Sequence, residues 1–120
     1  MYEVRIRDKD IVVAGAVKQA HGVVSRTRGL MFRRSLGPGE GLDIRPCGSI
    51  HMMFMFFAID AVFYDRDFRV TKVSRKLPPW IGLSFGGKGS RGVVELPVGA
   101  ADGVEKGDVI EFSPAKQGSS

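Results

Sequence analysis

The stretch from Cys47 to Asp65, CGSIHMMFMFFAIDAVFYD, limits the fold more than any other part of the chain. It is the most apolar run, yet it holds the lone cysteine, one of two histidines and a carboxylate. A membrane-spanning helix needs about 20 predominantly apolar residues. The part from Ile50 to Tyr64 is shorter, and His51 and Asp60 interrupt it, so no membrane partner is expected. The run must then be covered by the rest of a small protein. Ala58-Ile59-Asp60 reads as a break, which makes two core strands, Ser49 to Phe57 and Ile59 to Asp65.

The flanking chain supplies further strands. Tyr2, Val4 and Ile6 alternate with Glu3, Arg5 and Arg7, a period of two with one wet face. A polar turn at Asp8-Lys9-Asp10 joins them to IVVAGAV (Ile11 to Val17), completing a hairpin in which Gly15 suggests a bulge. Ser25 or Thr27 can cap a short helix running to about Leu36, stopped by Gly37-Pro38. Short strands follow at Gly41 to Arg45, Phe68 to Ser74, Gly92 to Val98 and Val109 to Phe112. A turn is expected at Asp65-Arg66-Asp67. Ile81 to Ser90 reads as the longest irregular stretch, and Gly99 to Gly107 has room for a turn of helix. These signals predict a mainly β domain of the α+β type. It would be a small, single, barrel-like fold of antiparallel and mixed strands with one short helix. Residues 1–112 would form the compact domain and 113–120 a flexible tail.

At 120 residues, 43% hydrophobic and 26% charged, the chain can bury a core without staples. A single cysteine cannot form an internal disulfide, no zinc spacing is present, and neither a metal nor a cofactor is expected. The N-terminus lacks the pattern of a signal peptide, so a cytoplasmic location is expected. The net charge of +5 is a solubility property unless clustered. The clustering lies at Arg26, Arg28, Arg33 and Arg34, which could contact phosphates but equally describe a solvated helix face.

Three candidate sites emerge. Cys47 and His51 could pair as an activated thiol, although along a strand they would stand roughly 13 Å apart. His51 and Asp60 could meet across strands, with a structural hydrogen bond as the plain alternative. Met53, Met55 and Phe57 would share one face of an alternating strand, with Glu95 as a polar neighbour, and line an adaptable ligand groove. Their plain alternative is core.

RGLMFR (Arg28 to Arg33), GLDIRPCGSIHMMFM…AIDAVFYD, VVELPVG (Val93 to Gly99) and GVEKGD (Gly103 to Asp108) stand in an order and spacing that resembles one prokaryotic family. It is the uncharacterised domain of unknown function 192. The resemblance implies a compact β-rich domain with a short helix and carries no agreed substrate or catalytic residues. The chain departs from the family pattern at Ala58, usually proline, at Met52, often threonine, and at Phe68, usually a turn glycine.

The expected function is that of a noncatalytic binding or accessory module holding a small molecule or a protein segment beside the Met/Phe strand. It would act as a monomer or weak dimer. The alternatives are a small hydrolase-like or other enzyme using Cys47, His51 and Asp60, and a nucleic-acid binder acting through the arginine helix.

Overall fold

A computed structural model describes residues 1–22, 35–52 and 54–115. Among the described residues there are nine strands: β1 (Tyr2–Ile6), β2 (Ile11–Ala20), β3 (Glu40–Ile44), β4 (Ser49–His51), β5 (Ile59–Tyr64), β6 (Val70–Leu77), β7 (Leu83–Phe85), β8 (Gly92–Pro97) and β9 (Ile110–Pro114). Seven of them make one sheet in the order β6-β5-β8-β3-β2-β1-β9, and β4 and β7 pair as a separate ribbon. The β2–β3 pair is parallel, while the other ladders of the large sheet are antiparallel.

The large sheet curls into a half-barrel whose edge strands meet at one end. Arg69 bridges Val109, and Val70 N–H and Ile110 N–H donate to Asp108 O and Phe68 O. Much of the curl comes from bulges. The β1–β2 register slips between Tyr2 and Val4, where the N–H groups of Gly15 and Ala16 both donate to Gly39 O. A second slip lies in β6 opposite Ile59–Ala61, where Lys76 sits at φ 52°. Extra residues of this kind bend a strand and increase its twist.

Curling gives the sheet two buried faces. Val4, Ile6, Val17, Val62, Tyr64, Val94 and Leu96 fill the inside with Ala101, Val104 and Ile110. The centre of this inner core leaves no space for a water molecule. On the outside, Leu42, Ile44, Ile59, Ala61, Phe63 and Val93 are covered by Leu36, Ile50, Met52 and Met55. β5 runs between both layers, so all six of its residues are buried. This is why IDAVFY shows no wet face.

The break before Asp60 is present, but the first half of the apolar run is not a core strand. β4 ends at His51, and Met55 N–H donates to Met52 O across a turn that places Phe54 at φ 65°. The chain thus drops Met52 and Met55 into the outer core at a spacing of three and turns Phe54 and Phe56 outward. The stretch read as irregular contains β7, and Gly86 lets the ribbon descend until a Cβ there would strike the Phe63 ring. Residues 99–107 form successive turns rather than helix, and no helix occurs among the described residues. The short helix expected toward Leu36 falls mostly on residues 23–34, outside the described residues; Ser35 and Leu36 are not helical. β9 continues through Pro114, opposite Tyr2.

Candidate functional site

The inner face carries two carboxylates, each fully engaged. Asp43 lies in β3 on the face of Val94, its partner in β8. It is completely buried and accepts hydrogen bonds from the Tyr64 hydroxyl and from Arg45 Nη2 at 2.7 Å, with His21 Nε2 3.1 Å away. Arg45 Nε donates to the Tyr64 oxygen at 2.9 Å. Its guanidinium also stands over the rings of Tyr64, Phe68 and Phe112 at 5.5, 5.2 and 5.4 Å.

This cluster depends on Gly92, where a Cβ would overlap the Tyr64 phenol. Burial, followed by the Asp43 charge, pushes the Tyr64 hydroxyl well above its usual range, so it remains a donor. Burial works against the Arg45 charge, but Asp43 outweighs it and the guanidinium is held more firmly protonated than usual.

Asp60 sits in β5 and accepts three backbone N–H groups: Lys76 at 3.0 Å, Gly99 at 3.0 Å and Ala101 at 3.2 Å. It ties down both the β6 bulge and the turns after β8. Cys47 and His51 lie in the covering layer instead. Cys47 Sγ donates to Ser49 O at 3.0 Å, and His51 is exposed in the ribbon opposite Leu83. The structure does not bring Cys47, His51 and Asp60 together. Strand alternation puts Asp60 on the inner face with Val62 and Tyr64, and its carboxylate is already used by the backbone.

The groove residues are placed as follows. Met55 and Glu95 are buried, Phe57 packs against the outer core, and Met53 lies outside the described residues. Arg26, Arg28, Arg33 and Arg34 also lie outside them. Glu95 differs from the two aspartates. It stands in β8 between Leu42 and Ala61 on the outer face, 6% exposed, and its carboxyl accepts no hydrogen bond among the described residues. Burial alone raises its pKa from 4.5 to about 7. No group of three side chains suited to a metal ion is gathered among the described residues.

One surface feature was read in the sequence only as irregular chain. The β4–β7 ribbon buries Ile50 and Ser84 on its lower face and turns Leu83 and Phe85, each 60% exposed, toward solvent. Ile81 projects beside them at 83% exposure. Trp80 follows, its ring edge-to-face with Phe54 and Phe56 at 5.4 and 5.6 Å. The available signal was the spacing of Leu83 and Phe85 around a polar Ser84, a three-residue alternation hidden among glycines.

Taken together, the fold and its polar sites define a small β-rich half-barrel domain with structurally committed inner carboxylates and an apolar outer ridge. The family model for domain of unknown function 192, described as "Uncharacterized ACR", matches residues 4–112, and the chain belongs to that family. It is 33% identical over 109 residues to a UPF0127 protein of Pyrococcus horikoshii, covering 87% of this chain and 93% of that one. A Thermococcus sibiricus UPF0127 protein is 33% identical over 115 residues, covering 88% of this chain and 71% of the relative. The fold matches a crystal structure of a protein of unknown function from Novosphingobium aromaticivorans with a TM-score of 0.81 at 23% identity, covering 91% and 83% of the two chains. A Sinorhizobium meliloti structure matches with a TM-score of 0.76 at 21% identity, covering 93% and 94%.

Proposed function

We propose that the protein is a noncatalytic binding module whose contact surface is the outer ridge of the β4–β7 ribbon. The observation that carries this reading is the ridge itself: Leu83 and Phe85 are exposed on a ribbon whose opposite side is core, Trp80 and Ile81 are exposed in the turn that precedes β7, and Ser49 and His51 are the polar members of the same ribbon face. Contiguous apolar surface of this kind on a small protein marks a site of contact. Met55 and Phe57, expected to line a groove, serve the outer core, which favours the ridge over a groove beside them. A catalytic reading is less well supported, since Asp60 is engaged by backbone donors and has no exposed oxygen to offer His51.

The test uses anilinonaphthalene sulfonate, a dye that brightens on apolar surfaces. The native protein should enhance its emission. The double variant Leu83→Asp/Phe85→Asp should abolish the enhancement while leaving the unfolding midpoint nearly unchanged, since both side chains point outward. Equal enhancement by the native and double-variant proteins would place the apolar contact surface elsewhere and sink this reading.

A further inference from the structure

The charges around the ridge are as unevenly distributed as its apolar residues. None of the chain's 13 Asp and Glu residues falls within residues 44–59 or 68–94, the two segments that build the ribbon and its flanks. Four of the cations in these segments flank the ribbon by strand position or by sequence. Lys72 shares the outer face of β6 with Ser74, whose hydroxyl meets that of Ser84 in the ribbon at 2.6 Å. Lys76 precedes the Pro78-Pro79-Trp80 corner, Lys88 follows β7, and Arg91 lies next to the start of the ribbon, where its carbonyl accepts Cys47 N–H. All four are exposed, and none makes an ion pair among the described residues. Acidic partners are used elsewhere. Arg5, Arg7 and Lys9 pair with Glu3, Asp10, Glu111, Glu105 and Asp108 around the β1–β2 hairpin and β9.

Resting on the ridge as the contact surface, we propose that its occupant is an anionic lipid bilayer, on which the protein docks peripherally. Ile81 is the most exposed apolar side chain of the ridge, so the ridge suits insertion better than enclosure of a peptide. Trp80 is half-exposed next to Ile81 in the chain, and indoles settle between headgroup and acyl chain. Unpaired Lys and Arg beside an inserted apolar edge gain about 1 kcal/mol each near an anionic surface. This departs from the expectation of no membrane partner, which rested on the length of the apolar run and concerned only crossing. No helix among the described residues is long and apolar enough to span a membrane. Single-stranded nucleic acid would use the same cations, but it needs open ring faces for stacking. Here Trp80 is flanked edge-to-face by two phenylalanines.

Trp80 is the chain's single tryptophan, so its emission reports directly on the ridge. With vesicles of phosphatidylcholine and phosphatidylglycerol at low salt, emission should shift to the blue, and the shift should weaken as salt is added. Ile81→Asp should abolish it, whereas Val12→Asp, the same kind of change at an exposed position of the β1–β2 hairpin, should not. Lys72→Ala/Lys76→Ala should weaken vesicle binding roughly thirtyfold, the equivalent of about 2 kcal/mol. Absence of a shift, an equal shift on pure phosphatidylcholine, or a shift with oligothymidylate in place of vesicles would each overturn the proposal. If the dye binds the ridge but vesicles do not, the lipid assignment fails alone; if neither binds, the ridge itself fails as a contact surface.

Discussion

The inner and outer faces of the curled sheet bury carboxylates on opposite terms. Inside, Asp43 and Asp60 lose water but gain side-chain and backbone donors in its place. Outside, Glu95 loses water between Leu42 and Ala61 and gains no hydrogen bond among the described residues. A buried charge that is hydrogen-bonded holds elements together, while one left without donors shifts its pKa until it is neutral. The inner face therefore uses its acids as ties. The outer face carries an acid that works against the layer covering it whenever it ionises.

The strongest way to break this comparison is to remove a tie. Asp60→Ala leaves the N–H groups of Lys76, Gly99 and Ala101 without their acceptor. Hydrogen bonds to charged groups are worth about 1.5–3 kcal/mol each, and removal of one partner also strands the other. A loss of about 4 kcal/mol is expected in urea unfolding, with amide exchange accelerated first in the turns at residues 99–107. A loss below about 1 kcal/mol would mean that Asp60 ties nothing.

Glu95→Gln should have the opposite sign above neutral pH. Because the native pKa is raised from 4.5 to about 7, the folded state holds its proton more tightly than the unfolded chain. Stability from this group is therefore complete below about pH 4.5, falls as pH rises, and is fully lost above about pH 7. The fall amounts to roughly 3 kcal/mol at 1.36 kcal/mol per pH unit. Subtracting the Glu95→Gln stability profile from that of the wild type should isolate this fall, since the variant has no carboxyl to titrate. Parallel profiles would place Glu95 in contact with water and collapse the distinction between the faces.

What could be read in advance follows the same division between local and long-range forces. The strands of the β1–β2 hairpin were legible because Tyr2, Val4 and Ile6 alternate with charges, and Gly15 correctly marked a bulge. β5 was legible as an apolar run, broken by Asp60 near its start and ending in a turn. Met52 to Phe57 was not, because apolar side chains at every position carry no period, so neither strand nor turn leaves a trace. The parallel β2–β3 pairing has no local signature either. The structural reading of Asp60 was accessible from its place at the head of β5. The meeting of Asp43, Arg45, Tyr64 and His21 was not: it depends on sheet order and on the absence of a side chain at Gly92.

The smallest expected effect comes from Phe68, where this chain departs from a family that usually has glycine. Phe68 closes the turn after Asp65 at φ 62°, a conformation that disfavours L side chains by about 1–2 kcal/mol. Asp65 stabilises that turn by accepting the N–H groups of Asp67 and Arg69 at 2.8 and 3.0 Å. In return the Phe68 ring stacks on Tyr64 at 5.5 Å and gives Arg45 its nearest aromatic face. Phe68→Gly therefore removes strain and ring together, and its net cost should be about 2 kcal/mol, below the 3–5 kcal/mol typical of a truncated phenylalanine. Phe112→Ala supplies the contrast. It removes another ring of the same set from a strand without positive φ, so nothing offsets the lost packing, and it should destabilise by about 3 kcal/mol. Equal losses for the two variants would show that the turn at Phe68 stores no strain, and the aromatic box would then be an addition to the inner face made without backbone cost.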